Sequence, residues 1–212
     1  MSTLNGSKIS IYALAAIFFG IFCFGIVSAV MVSSPDVVKP GDPVSVYVGN
    51  LNAGDPVSVL ITGNVKTDAG SFFSFGVHDL QLGLAINSPK LHVNMGGLDP
   101  NSKVNLTISR LGGIEKVYPP ESVGVNGVCD FTETETALPK DTYNIDINGT
   151  ANLTQIPVTF EISGANVQAE TLAECNFNIV GFSNGVFEVT TTVSNKLVEK
   201  KKFTVQDQLI AL

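Results

Sequence analysis

From Ser33 onward, apolar and polar residues alternate with a period of two. Val44, Val46 and Val48 flank Ser45 and Tyr47, and Val57, Val59 and Ile61 repeat the pattern. Leu80, Leu82, Leu84 and Ile86 continue it, followed by Leu91, Val93 and Met95, and by Val104, Leu106 and Ile108. Four further runs are Tyr143, Ile145 and Ile147; Val158, Phe160 and Ile162; Cys175, Phe177 and Ile179; and Phe187, Val189 and Val193. Successive side chains of a strand point to opposite faces, so each run predicts a strand with one buried and one wet face. Turn signals separate the runs at Pro40-Gly41-Asp42-Pro43, Gly54-Asp55-Pro56, Gly96-Gly97, Asn126-Gly127 and Asn184-Gly185. Short strands bounded in this way predict an all-β antiparallel fold, a sandwich or a barrel, and the sandwich is the architecture expected here. A short helix is expected at residues 167–174 alone in this part of the chain.

The start of the chain has a different pattern. After a polar opening that contains Lys8, residues 9–32 carry no charge over 24 positions. Two readings are open. A cleavable secretory signal would exit at Val27-Ser28-Ala29, with the cut after Ala29. An uncleaved anchor would cross a bilayer as a helix, for which about 20 apolar residues suffice. With Lys8 inside, the positive-inside bias exports the rest of the chain in both cases. Residues 1–32 are therefore expected to be a signal peptide or a transmembrane anchor, and the remainder extracellular, secreted or held at the cell surface.

Composition narrows the partners. Lys and Arg number 12 against 19 Asp and Glu, and Arg110 is the single arginine. An acidic chain is a poor match for phosphate-rich polymers, so nucleic acid is not an expected partner. Cys23 lies in the uncharged block, which leaves Cys129 and Cys175 as an even pair in an oxidising compartment. Such a pair predicts a disulfide.

Internal similarity suggests duplication. Residues 41–46 and 54–59 are the same hexapeptide, GDPVSV. Leu51, Val57, Val59 and Ile61 match Leu98, Val104, Leu106 and Ile108 at a constant offset of 47. Two tandem β units, 33–97 and 98–212, are expected, with one large sandwich over 33–212 as the alternative. Leu138-Pro139-Lys140-Asp141-Thr142-Tyr143 is similar to the strand entry that carries the tyrosine corner of Ig-like folds. With the apolar start, the GDPVSV strands, the LPKDTYNIDING segment and the closing FEVTTTV and KKKFTV strands, the chain resembles secreted Ig-like sandwich modules of prokaryotic cell envelopes, including those of methanogenic archaea. That resemblance implies a surface location and a structural or binding role, and brings no catalytic residues with it.

The chemical motifs have plain readings. Gly181-Phe182-Ser183-Asn184-Gly185 matches a nucleophile elbow, but no His follows it and Asn-Gly marks a hairpin. Asn144-Ile145-Asp146-Ile147-Asn148-Gly149 imitates the start of a calcium loop, with Gln155 where a Glu is needed. Ile145 and Ile147 instead fit a strand with the polar residues on its wet face. Asp130, Glu133 and Glu135 read as a charged strand edge, and Lys200-Lys201-Lys202 as a guard against edge pairing. His78 and His92 have no neighbouring ligands, and His92 is expected to face water. No catalytic, cofactor or metal site is expected. Sequons at Asn105, Asn148 and Asn152 are glycosylation candidates, Asn105 outward on a strand and the other two in the turn after one. Tyr47 and Tyr118 are the aromatics expected on the surface. The expected function is a non-enzymatic structural or adhesive protein of the envelope, in contact with the membrane through its N-terminal helix where uncleaved, and with other envelope proteins or copies of itself. Binding of an extracellular carbohydrate or solute is the alternative, and a secreted hydrolase the third reading.

Overall fold

The computed structural model describes residues 29–33, 35–67, 71–113, 115–181 and 185–206. The expected N-terminal helix, Cys23 and the tip 182–184 of the Gly181–Gly185 motif lie outside these residues. The described residues form two sheets of eight strands each. In the first, the spatial order is β1 (Val30–Ser33), β3 (Pro43–Leu51), β14 (Glu170–Val180), β5 (Phe72–Leu82), β12 (Thr142–Thr150), β7 (Lys103–Arg110) and β8 (Glu115–Val117). Strand β9 (Glu121–Ser122) also pairs with β7. In the second, the order is β10 (Cys129–Thr134), β6 (Ile86–Met95), β13 (Gln155–Asn166), β4 (Pro56–Lys66), β15 (Gly185–Val193), β16 (Lys196–Val205) and β2 (Val37–Val38). Strand β11 (Ala137–Leu138) also pairs with β6. All pairs are antiparallel except β16 with β2. Among the described residues no helix is long and apolar enough to cross a membrane.

Alternation puts one face of every long strand into a shared core. Val46, Phe75, Ile147 and Phe177 of the first sheet and Met95, Ile156, Phe160 and Phe203 of the second are at most 2% exposed and belong to one cluster. Each large side chain buried in this way contributes about 2–3 kcal/mol of transfer free energy.

The tandem expectation is corrected by the pairing. In the first sheet β3 and β5, from residues 33–97, alternate with β14 and β12, from 98–212. In the second, β6 and β4 alternate with β13 and β15. Neither half has a sheet of its own, so the described residues fold around one core. The repeats encode local geometry instead. Gly41 and Gly54 have φ of +84° and +86°. Asp42 and Asp55 each accept a backbone N–H three residues earlier, from Lys39 and Asn52, at 2.8 Å. GDPVSV is thus one turn and strand entry used twice, once in each sheet. The segments related by the 47-residue offset become β4 and β7, likewise in opposite sheets.

Three local expectations also change. Residues 170–174 belong to β14, where buried Ala173 lies between exposed Leu172 and Glu174. The run from Leu80 to Ile86 is a crossover between the sheets: β5 ends at Leu82 in the first and β6 starts at Ile86 in the second, with Leu84 buried in the bend. A Cβ at Gly83 in that bend would lie 2.2 Å from the Glu174 carbonyl oxygen. Residues 30–32, expected within the anchor, lie in β1, with Val32 5% exposed. The segment 30–38 leaves β1 on the edge of the first sheet and enters β2 on the edge of the second, so it straps one side of the molecule.

The Tyr143 hydroxyl donates to the Pro139 carbonyl at 3.0 Å, the bond expected from the LPKDTY segment. Tyr143→Phe is expected to lower unfolding free energy by about 1 kcal/mol, and Gly83→Ala, which meets backbone rather than a movable side chain, by about 2 kcal/mol or more. Urea denaturation of the two variants measures both values.

Candidate functional site

The outward face of the second sheet is a grid set by the register. Asp130, Asn94, Thr159, Thr62, Glu188 and Lys202 form one row across six strands. Thr132, His92, Glu161, Leu60, Thr190 and Lys200 form the next. Thr134, Lys90, Ser163, Ser58 and Thr192 start the third. The charges in the grid balance, with Asp130, Glu161 and Glu188 against Lys90, Lys200 and Lys202. Most are held by neighbours. Asp130 receives the Asn94 amide at 2.8 Å and lies 2.8 Å from His92 Nε2. These bonds, that of His92 foremost, hold its carboxyl below the usual range. Ser58 Oγ donates to Glu161 at 2.5 Å. Lys200 and Lys202 lie 2.8 and 3.9 Å from Glu188.

The first row, Asp130 excepted, lines an open trough of about 440 Å³ that runs over β6, β13, β4, β15 and β16. Thr62, Asn64, Asn94, Thr159, Glu188 and Lys202 supply its polar groups, and Pro157 and Val186 its apolar ones.

The outward face of the first sheet carries Asn144, Asp146 and Asn148, the strand placement expected for the calcium-loop look-alike. His78 Nε2 lies 2.6 Å from Asp146 Oδ1. His78 and His92 are thus in different sheets, each beside one aspartate. Among the described residues no group of three or more His, Cys, Asp or Glu is placed to hold a metal ion. The Gly181–Gly185 motif runs into strand β15, where an elbow requires a helix.

A third cluster was not read from the sequence. Glu135, between β10 and β11, accepts hydrogen bonds from Lys116 Nζ and from the Tyr118 hydroxyl, the latter at 2.5 Å. Lys116 Nζ also sits 4.5 Å from the centroid of the Tyr118 ring. The cluster joins the β8 edge of one sheet to the β10 edge of the other. Tyr118, expected on the surface, is 5% exposed. Burial, helped by the hydrogen bond to Glu135, raises its pKa to about 12. Lys116 and then Tyr118 hold Glu135 below the usual carboxylate range. Tyr47, by contrast, is half-exposed on the first sheet.

The expected disulfide is not formed: Cys129 and Cys175 are both free and buried. Cys129 pairs with Met95 at one end of β6, whereas Cys175 lines a core cavity with Ile86, at the other end. A disulfide needs Cα atoms within about 7 Å, and the two thiols belong to strands of different sheets, β10 and β14. Even parity said nothing about this separation. Burial raises both thiols, Cys129 to about 11.

Asn105 and Asn148 face each other across β7 and β12, the Asn105 amide donating to Asn148 Oδ1 at 3.0 Å. Asn148 therefore lies within a strand and not in the turn after it. Asn152 is exposed in that turn. Ala29, the cleavage candidate, accepts the Gly49 N–H at 2.6 Å.

No protein-family model matches the chain, and no curated protein matches it.

Two outcomes are expected here. Denatured, unreduced protein will take up alkylating reagent at both Cys129 and Cys175, while folded protein will take up little at either; intact mass distinguishes these. Glu135 has a lowered folded pKa, so its stabilisation is present above the unfolded value of about 4.3 and is lost as pH falls through the folded one. Glu135→Gln should therefore lose less stability than the parent protein on acidification below about pH 4.5, as measured by urea melts at a series of pH values.

Proposed function

We propose that the protein is a non-enzymatic structural or adhesive component of a cell envelope, an Ig-like β-sandwich displayed outside the membrane. The observation that carries this reading is where the sandwich begins. β1 starts at Val30, directly after residues 9–29, which hold no charge. With those residues in a bilayer, the strap 30–38 would tie both sheets to the membrane surface without a linker. Several features fit such a role. Met31 and Leu172, 58% and 62% exposed, lie on the outward face beside the point where the chain enters β1. The Tyr143–Pro139 bond is of the kind that a tyrosine corner makes, from a Tyr hydroxyl to backbone a few residues upstream. Asn152, in an exposed turn, is the sequon best placed for a glycan, because the Asn105 and Asn148 amides face each other within a sheet.

Cleavage after Ala29 would remove the carbonyl that Gly49 bonds and leave an ammonium group at the first residue of β1. The anchored form keeps this bond. The expected result is a membrane-bound species whose intact mass includes residues 1–29 and whose sandwich is digested by protease added to whole cells. A soluble cytoplasmic species of unprocessed mass, protected from that protease, would overturn the proposal.

A further inference from the structure

We infer that the trough on the second sheet is a binding site for a neutral, hydroxyl-rich chain, a short oligosaccharide. The inference rests on the trough and not on the envelope reading. Its volume of about 440 Å³ lies within the usual range of ligand sites, about 300–1,000 Å³. Five strands at about 4.8 Å spacing make it about 19 Å long, which suits an elongated ligand.

The lining selects the class of ligand. A sugar hydroxyl both donates and accepts, as do a threonine hydroxyl and an asparagine carboxamide. Thr62, Thr159, Asn64 and Asn94 present these groups along the trough. The two threonines and Asn94 are also held in place. Threonine is stiff about χ1, and the bond from Asn94 to Asp130 fixes the Asn94 carboxamide. Groups ordered before binding lose less entropy when a ligand arrives. Glu188 and Lys202 are the only charged residues lining the trough, and they have opposite signs. A neutral ligand meets no net field there, although the whole chain is acidic. Pro157 and the 54% exposed Val186 offer apolar surface to the C–H faces of a ring.

Other classes fit less well. An extended peptide binds by adding to an open sheet edge, but β6, β13, β4 and β15 are paired on both sides here. A phosphate polymer needs a run of cations, and the trough has one. No aromatic ring is exposed in it, since Phe187 is 2% exposed, so affinity should be weak, in the millimolar range.

The test is calorimetric titration of the full chain with the β-1,4-linked tetrasaccharides of glucose, mannose and N-acetylglucosamine. At least one is expected to bind saturably. Asn94→Ala and Thr159→Ala should each weaken it about fivefold, the value of one hydrogen bond. Thr62→Arg, which fills the trough, should abolish binding without changing the melting temperature, and Ser74→Ala on the other sheet should change nothing. If Thr62→Arg does not fold, the two alanine variants decide. Failure of all three sugars to bind at millimolar concentration overturns the inference, as does binding that the trough variants leave intact. Neither result bears on where the protein resides.

Discussion

Every long strand in this protein has one apolar face, and that face is covered only if a second sheet lies over it. This constraint governs the rest of the structure. Because the halves of the chain alternate within both sheets, no subset of strands can satisfy it alone. β3 needs β14 beside it, and β14 comes from the other end of the sequence. β4 needs β13 and β15, also from the second half. The core therefore forms as one unit from contacts distant in sequence, an arrangement that folds slowly because long loops must close before pairing repays them.

A two-sheet core leaves two kinds of surface, edges and faces, and the chain treats them differently. Edges are liabilities because their unpaired backbone groups recruit other strands. Here the outermost strands, β1, β2, β8 and β10, have six residues or fewer. One side is strapped by segment 30–38. The other is joined by Lys116, Tyr118 and Glu135, whose bonds cross from one sheet edge to the other. Lys201, half-buried near the strapped edge, lies over the Phe203 ring and 3.5 Å from Asp36, while Lys200 and Lys202 turn outward to Glu188. The lysine run thus divides between the two faces of β16.

The alternation of single residues made the fold class legible. Nearly every run that was read became a strand, because period two reports directly which face is buried. What it could not show was long-range partnership. Identical hexapeptides suggested duplicated domains, yet a turn and a strand entry are too small to specify which sheet a strand joins. A bulge hid the extent of one strand. At His78 and Asp79 the inward phase of β5 shifts from Phe73, Phe75 and Val77 to Leu80 and Leu82, with Asp79 at φ +49°, so its first half was not read as a strand. The Tyr118–Glu135 cluster was illegible for a related reason: its members lie in irregular segments, and no periodicity announces that Tyr118 turns inward. The cysteine pair failed because parity counts residues and ignores where their strands lie.

Protected edges bear on any contact role. A surface protein that associates through open edges risks uncontrolled polymerisation, whereas one that associates through its faces can use side chains to choose partners. In this chain the faces carry ordered rows of Ser, Thr, Asn and paired charges, and the exposed apolar residues are few on them. Small polar side chains held by neighbours contribute little net stability, since they exchange bonds to water for bonds of similar strength. Their regular placement is not needed to cover the core, which the inward residues already form. It does create surfaces with a fixed pattern of donors and acceptors, and on the second sheet that pattern follows the floor of a trough. A rigid, charge-balanced face of this kind discriminates by geometry instead of by net attraction, which suits weak and repeated contacts at a surface better than tight capture of one ligand.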